Sequence, residues 1–303
     1  MKRFLFLVAL LGFLKLPAHG GNDATPAADL DIAQLEITDV ATVEVATVAT
    51  VALVAISTRM AEHALKAQSL AGVARTLGLG SEEYVYRISW GALKVGRSTL
   101  GAPDAVTIDG KPAYHIVSTA RTSSFFDAFH KVRDSNEAWL DSTNFISRGF
   151  GKHLKEGKFF REEIVVFDHE AGAYSATVKN KKGEVKKEAG TMKPYSYDVL
   201  SALYWVRAQD LVVGKEYSID VNTRKDWPLM IRVKGTKKVK VPAGEFDCLV
   251  IEPMMRDEGI FVQKGKSMDI WLTNDARKIP VKVQAEVFIG SVKAELEEIV
   301  YKQ

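Results

Sequence analysis

The chain has 303 residues, a formal net charge of +3 and an ordinary hydrophobic content of 47%. Its single cysteine, Cys248, excludes an internal disulfide framework, so stability has to come from a hydrophobic core. The first 20 residues contain Lys2, Arg3 and Lys15 and no acid, and the rest of the chain has as many acidic as basic residues. This balance gives no electrostatic footprint for nucleic-acid binding.

The N-terminus has the pattern of an export signal. Lys2-Arg3 precedes an apolar run, Phe4–Leu14, and the small residues Ala18 and Gly20 follow. The run is too short for a membrane-spanning helix, which needs about 20 residues. We therefore predict a signal peptide over residues 1–20, cleaved after Gly20, and a periplasmic or secreted protein without a membrane span after its removal. No cysteine follows the run, so no lipoprotein acylation is expected.

Residues 21–80 are predicted to be a linker followed by a helix. Val40–Ser57 is a low-complexity Val-Ala-Thr tract, which is interpreted as a weakly helical lead-in, a short membrane segment or an exposed β-prone tract; we favour the lead-in. Thr58–Leu77 has apolar residues at helical spacing, and Gly78 and Gly80 supply a stop. This helix is expected to pack on its own domain, with docking to a partner as the alternative.

Residues 81–303 are predicted to form one β domain. Short apolar runs with period-2 alternation are separated by turn residues, of which Asp109-Gly110 is the strongest hairpin signal. The clearest meander is Met268–Thr273, Pro280–Phe288 and Ser291–Val300, and Gly259–Val262 leads into it. Separate strands are also predicted at Met230–Val233 and Lys237–Val241, and the cluster SSFFDAFH (residues 123–130) is interpreted as a loop. One helix, Tyr197–Gln209, interrupts the strands; it is apolar on most of its circumference and should therefore be covered by the sheet.

Four ordered motifs carry a family resemblance. They are residues 86–96 (YRISWGALKVG), 198–221 (DVLSALYWVRAQDLVVGKEYSIDV), 241–253 (VPAGEFDCLVIEP) and 270–283 (IWLTNDARKIPVKV). Together they resemble the DUF3108 family of exported bacterial proteins, over roughly Glu83 to Val300. The resemblance implies a mainly β fold: an antiparallel curved sheet, half-barrel or barrel-like, with one helix packed on the concave face. It also suggests kinship with periplasmic lipoprotein-carrier-like sheets, and it implies no catalytic residues. The N-terminal helical lead-in of residues 21–80 lies outside the resemblance.

No motif indicates catalysis, a cofactor or a metal. Cys248 lies mid-strand and is interpreted as a buried structural residue. The histidines have no metal-ligand spacing, and GxSxG, P-loop and GxGxxG motifs are lacking. Lysine runs at Lys179–Lys187 and Lys234–Lys240 are interpreted as protection of sheet edges, with contact to anionic headgroups or phosphate as the alternative.

The aromatic residues give the ligand hypothesis. A curved sheet with a helix across it can leave an apolar pocket between them. The candidate ligand-binding residues are Phe125, Phe126, Phe129, Trp139, Tyr204, Trp205 and Trp271, with Phe125–Phe129 as a lid. The leading function is a periplasmic, non-enzymatic binding or carrier protein for a lipid or other apolar envelope component. The alternatives are a structural scaffold that contacts an envelope protein partner, and a hydrolase whose site is assembled from scattered strands.

Overall fold

A computed structural model describes residues 70–108, 110–255, 267–287 and 290–301. These ranges contain fourteen strands and three helical segments, of which α1 covers residues 70–76. The others, in chain order, are β1 (Glu82–Trp90), β2 (Leu93–Ile108), β3 (Lys111–Thr122), α2 (Ser124–Asp127), β4 (Arg133–Asp141), β5 (Ser147–Glu156), β6 (Phe159–Asp168), β7 (Ala173–Asn180), β8 (Val185–Thr191), α3 (Val199–Arg207), β9 (Glu216–Asn222), β10 (Asp226–Val241), β11 (Gly244–Met255), β12 (Met268–Thr273), β13 (Pro280–Glu286) and β14 (Ser291–Tyr301).

All fourteen strands belong to one curved antiparallel sheet. Their order is β8-β7-β6-β5-β4-β3-β2-β1-β14-β13-β12-β11-β10-β9, so sequence neighbours pair as hairpins and β1 pairs with β14. Because each strand pairs with its neighbour in the chain through a hairpin, short runs of alternating apolar and polar residues are enough to build the sheet. Within the described ranges β8 and β9 form no ladder with each other, so the sheet is not closed. The predicted fold class is thus confirmed.

The core lies between the inner face of the sheet and helix α3. Alternate residues of the strands are buried; in β1 they include Tyr84, Tyr86 and Ile88, each no more than 1% exposed. Helix α3 begins at the N-cap Asp198 and buries Leu200, Tyr204 and most of its remaining circumference. This arrangement agrees with the prediction that the sheet covers an all-round apolar helix.

Helix α1 ends at Gly78, as the sequence predicts. Gly78 has φ of 74°, and the Leu79 amide donates to the Ala74 carbonyl at 3.0 Å. A Cβ atom on Gly78 would press on the Glu82 carboxylate, which would have to move from its ion pair with Arg277. This tight C-cap turns the chain directly into β1.

The structure differs from the predicted elements in two places. Met230–Val233 and Lys237–Val241 were expected as separate strands, but they form the single strand β10, with a register shift between Val233 and Gly235. The sequence SSFFDAFH was expected as a loop, but part of it forms the short helix α2. Neither feature has a strong sequence signal. The register shift in β10 interrupts the alternation of apolar and polar residues, and α2 has no side-chain N-cap.

The lysine runs lie at edges of the sheet. Strand β8 is an edge strand and contains Lys186 and Lys187. Strand β9 pairs with β10 only as far as Arg232, so the following part of β10, which contains Lys234–Lys240, has no partner on that side. Lysines at such positions oppose pairing with another chain.

Some predicted segments lie outside the described residues. They include the signal peptide, the Val40–Ser57 tract, most of the Thr58–Leu77 helix and a strand at Gly259–Val262. Across the part of the chain that is described, no helix is long and apolar enough to cross a membrane.

Candidate functional site: a polar recess between the sheet and helix α3

The inner face of the sheet carries two neighbouring rows of opposite character. Ser118, Asn136, Lys152 and Glu163 are successive partners across β3, β4, β5 and β6. The row two residues further along the strands is apolar and consists of Ile116, Ala138, Phe150 and Val165. Because side chains alternate between faces, the two rows lie side by side on the inner face. The interior therefore changes from polar to apolar within one step along the strands.

A recess opens between these rows and the beginning of helix α3. Its cavity volume is about 20 Å³, which is room for about one water-sized group, and its mouth is open to solvent. The sheet, the helix and the end of β9 all contribute to its wall: Asn136, Glu137, Phe150, Gly151, Lys152, Asp198, Val199, Leu200 and Thr223. It lies where the sequence hypothesis placed a ligand, between the sheet and the helix, but its lining mixes polar and apolar groups.

The N-cap of α3 fixes the helix against this part of the sheet. Asp198 Oδ1 accepts hydrogen bonds from the Leu200 and Ser201 amides, at 2.8 and 3.1 Å. Its Oδ2 accepts from the Ser147 hydroxyl at the start of β5, at 2.7 Å. Burial nonetheless raises the pKa of the Asp198 carboxyl above its ordinary value. The carboxyl is thus a structural cap whose acceptor atoms are occupied.

Lys152 is the cation of the recess. Its Nζ lies 4.7 Å from the centroid of the Phe150 ring, and it has neither a hydrogen bond nor an ion pair with any described residue. Burial lowers the pKa of Lys152, and Arg161 and Arg224 lower it further, whereas Glu163 opposes the shift. Lys152 is half-buried, so its ammonium group is partly withdrawn from water without an ion-pair partner, which is energetically unfavourable.

Glu163 does not neutralise Lys152, because two arginines already hold its carboxylate. Arg161 NH2 lies 2.8 Å from Oε2, and Arg224 Nε lies 2.9 Å from Oε1 in an ion pair without hydrogen-bond alignment. Arg224 also pairs with Glu188 of β8 at 2.5 Å. Two arginines and two carboxylates pair in this network, so Glu163 is not a dedicated counter-ion of Lys152.

Two further polar atoms of the lining lack partners. The Asn136 Oδ1 and Thr223 Oγ1 atoms are buried and form no hydrogen bond within the described chain. Buried polar groups are normally hydrogen-bonded, so such atoms beside an unpaired ammonium group indicate space for a polar ligand group.

Arg224 also links the two edges of the sheet. It lies in the turn between β9 and β10 with φ of 73°, and its carbonyl accepts from the Tyr174 hydroxyl of β7 at 2.8 Å. Together with its ion pairs to β6 and β8, this contact holds the β9–β10 turn against the opposite edge. Thr223, which lines the recess, lies in the same turn and is therefore positioned by these contacts.

The other end of helix α3 is fixed by a fully buried arginine. Arg207 donates to the carbonyls of Leu77, Arg277 and Lys278 at 2.9 to 3.1 Å, and to the Tyr84 hydroxyl at 3.1 Å. Its guanidinium lies 4.7 Å from the centroid of the Tyr204 ring. Tyr84 in turn donates to Glu82, whose carboxylate pairs with Arg277. Helix α3 is thus held at both ends by polar contacts.

The predicted aromatic site residues fall into separate groups. Phe125, Phe126 and Phe129 contact one another, with ring centroids 5.2 to 6.4 Å apart. Phe126 packs against the core, whereas Phe125 and Phe129 are 69% and 74% exposed. Their role as a lid stays a prediction.

The other four aromatic residues have different neighbours. Tyr204 is buried on α3, and Trp205 packs partly buried with its ring centroid 6.4 Å from that of Tyr197. Trp139 stacks on His115 on the face of β4 opposite the buried Ala138. Lys282 Nζ lies 4.8 Å from the Trp271 ring centroid. None of the four lines the recess, and ligand binding by them stays a prediction.

Sequence reasoning missed Lys152, Asn136, Glu163, Arg207 and Arg224. A signal was available for the first three, since each is a polar residue at an inward position of an alternating strand. The signal becomes specific only when the strand register places the three side by side.

The described residues offer little for catalysis. They contain no group of three or more His, Cys, Asp or Glu residues that could hold a metal ion. Cys248 is buried, as predicted, and burial raises the pKa of its thiol to about 11. Such a thiol is not an activated nucleophile.

The fold and recess define a class: an open, barrel-like antiparallel sheet with one helix packed on its inner face. The family model of DUF3108, described as a protein of unknown function, matches residues 85–297. The chain belongs to this family, as its motifs predict.

Solved structures with related folds are known. A β-barrel-like DUF1849 protein from Brucella abortus is 10% identical, with a TM-score of 0.51, and the match covers 75% of this chain and 100% of that one. A Bacteroides fragilis protein with a YmcC-like fold is 9% identical, with a TM-score of 0.32 and coverage of 73% and 95%. The lipoprotein LppX from Mycobacterium tuberculosis is 11% identical, with a TM-score of 0.21 and coverage of 76% and 93%. The first supports the fold alone. No curated protein matches the chain.

Proposed function

We propose that this protein is a non-enzymatic binding or carrier protein for an amphipathic, negatively charged ligand. The ligand is an acyl chain or lipid whose carboxylate or phosphate group enters the recess between the sheet and helix α3. Export to the periplasm is part of the proposal and is supported by the signal-peptide pattern of residues 1–20.

The single observation that carries the proposal is the Lys152 ammonium group. It is half-buried in a recess and has no ion-pair partner among the described residues, while Glu163 is held by two arginines. A carboxylate or phosphate of the ligand would supply the missing charge and accept its hydrogen bonds. The hydroxyl of Thr223 can donate to the same group.

The neighbouring apolar row explains why the ligand should be amphipathic. Phe150, Val199 and Leu200 line the recess beside Lys152. An apolar chain that starts at the ammonium group therefore meets aliphatic and aromatic surface within one residue step. Binding sites commonly combine such surface with a few fixed polar groups.

The hydrolase alternative has no specific support in the described residues. The Ser147 hydroxyl does donate to Asp198 of the recess, but this carboxyl caps helix α3 and Ser147 is fully buried. The scaffold alternative is favoured by one observation, the exposure of Phe125 and Phe129. It concerns a different surface, so it does not compete for the recess.

The proposal is tested with 11-(dansylamino)undecanoic acid, an acyl chain with a carboxylate and a fluorescent reporter. We expect saturable binding to the wild-type protein and an affinity at least about tenfold lower for Lys152→Met, because a hydrogen bond to a charged group contributes about 1.5–3 kcal/mol. The matched control is Lys240→Met on the exposed part of β10, which should bind like wild type.

Stability measurements keep this test interpretable. Since burial lowers the pKa of Lys152, the charged form is disfavoured in the folded protein, and Lys152→Met should be at least as stable as wild type at pH 7. This advantage should shrink as the pH rises toward the unfolded lysine pKa of about 10.4. Equal probe affinity in wild type and in a folded Lys152→Met variant would refute the proposed site.

A further inference from the structure

The end of the sheet that carries α2 presents aromatic side chains to solvent. Phe125 and Phe129 are 69% and 74% exposed, and their ring centroids lie 5.6 Å apart. Leu93, at the start of β2 on the same end of the sheet, is 56% exposed. Large apolar side chains clustered in this way on a surface often mark an interaction site.

The exposed phenylalanines stand on a fixed support. Asp127 of α2 pairs with Arg133 through both oxygens, at 3.0 and 2.5 Å, and accepts from the Thr122 hydroxyl at 2.5 Å. The third phenylalanine, Phe126, packs against the core beneath them. The rings are therefore held outward by the fold of the segment.

A lysine-rich groove lies beside this aromatic cluster. It is formed by the turns that join β5 to β6 and β7 to β8, and it has about 620 Å³ of unfilled space that includes open solvent. Lys155, Lys158, Lys179 and Lys181 line it together with Phe159 and Phe160. Lys179 pairs with Glu162 at 3.0 Å, whereas the other three lysines have no ion-pair partner in the described chain.

The cluster and the groove are continuous. The Gly157 amide, in the turn between β5 and β6, donates to the Lys131 carbonyl at 2.7 Å. The His130 ring lies against the same glycine. Lys131 is itself exposed and comes two residues after Phe129, so cations and aromatic rings share one surface.

We propose that this end of the sheet docks on the surface of an anionic lipid bilayer. Phe125 and Phe129 enter the interface between headgroups and acyl chains, and Lys131, Lys155, Lys158 and Lys181 contact the lipid phosphates. Apolar side chains flanked by lysines are the combination that binds such interfaces. The exposed Phe125 and Phe129 rings, which lie at this end, set the orientation of docking.

This inference does not rest on the proposed function, because it uses none of the residues of the recess. The two can fail separately: vesicle binding does not require Lys152, and binding of the fatty-acid probe does not require the phenylalanines. A bilayer is preferred to a protein partner because the cations are spread over several turns around a small aromatic cluster.

The test is co-sedimentation of the full chain with vesicles. One set contains about one-third phosphatidylglycerol in phosphatidylcholine, and the other contains phosphatidylcholine alone. We expect the wild-type protein to bind the anionic vesicles at least tenfold more tightly, and this preference to fall strongly when salt is raised from ~0.15 to ~1 M.

Two multiple variants separate the roles of the aromatic and basic residues. The double variant Phe125→Ser/Phe129→Ser should weaken binding to anionic vesicles at least tenfold. The quadruple variant Lys131→Gln/Lys155→Gln/Lys158→Gln/Lys181→Gln should weaken this binding on the order of a hundredfold. Controls of the same size on other exposed positions should bind like wild type; these are Tyr195→Ser/Val213→Ser and Lys215→Gln/Lys237→Gln/Lys238→Gln/Lys240→Gln. All variants carry the same N-terminal segment, so differences report on this surface.

Three results would overturn the proposal. They are equal binding of wild type to both kinds of vesicle, unchanged binding of the phenylalanine variant, and an equal loss in the controls. The proposal would also be overturned if the protein did not bind vesicles but formed a complex with an envelope protein that depends on the phenylalanines. The partner of this surface would then be a protein.

Discussion

Replacing Arg207 with methionine tests how helix α3 is held in the sheet. Methionine keeps much of the aliphatic stem and removes the guanidinium. The Leu77, Arg277 and Lys278 carbonyls and the Tyr84 hydroxyl then lose a donor. Arg207 is fully enclosed, so the Leu77 carbonyl is left buried without this donor.

The magnitude follows from these four acceptors. A buried acceptor left without a partner costs about 1–3 kcal/mol, and the two partly buried carbonyls cost less. Removing the guanidinium also relieves the cost of burying a charge, which offsets part of the loss. We expect a net destabilisation of about 3 kcal/mol, which for a domain of this size lowers Tm by about 6–12 °C.

The assay is urea-induced unfolding at pH 7, followed by tryptophan fluorescence. Arg232→Met is the matched control, because Arg232 forms an exposed ion pair with Glu216 and its removal should cost less than about 0.5 kcal/mol. If Arg207→Met lies within about 1 kcal/mol of this control, the polar contacts do not hold the helix.

Three further outcomes are expected. Asp198→Ala should cost about 1–2 kcal/mol through loss of the N-cap, whereas Asp198→Asn, which still caps, should be at least as stable as wild type at pH 7, as measured by urea unfolding. Because the folded pKa of Asp198 is raised, the advantage of Asp198→Asn should shrink as the pH falls toward the unfolded value of about 3.9, and a constant difference would contradict the assigned cause. Arg224→Ala should destabilise by about 2 kcal/mol through its buried pair with Glu163, against less than about 0.5 kcal/mol for the exposed Lys186→Ala; equal effects would show that Arg224 does not link the sheet edges. Cys248, with its thiol pKa near 11, should react with Ellman's reagent at pH 8 only after unfolding, and rapid reaction of the native protein would contradict its burial.

Much of the fold follows from local pattern. Met268–Thr273 was predicted with the bounds that the structure shows, because alternation ends at the Asn274-Asp275 turn. The helix predicted at Tyr197–Gln209 occurs as Val199–Arg207, since Asp198 is a recognisable N-cap. Consecutive hairpins then leave little choice of topology, so one curved antiparallel sheet was accessible from sequence, whereas its openness was not.

The candidate site was less accessible, because it depends on register. Asn136, Lys152 and Glu163 come from three strands and become neighbours only through the pairing of β4, β5 and β6. The absence of a counter-ion at Lys152 also depends on Arg161 and Arg224, which occupy Glu163. Aromatic content pointed instead to Trp139 and Trp271, which pack against His115 and Lys282.

Native mass spectrometry of protein purified from its own cell envelope tests the central claim most directly. We predict that wild-type protein carries a co-purified acidic amphiphile, released as a fatty acid or phospholipid in negative-ion mode. Protein with Lys152→Met should be folded and lack it, and Lys240→Met should retain it. Ligand-free wild-type protein, or the same ligand at the same occupancy in Lys152→Met, would contradict a binding site at Lys152.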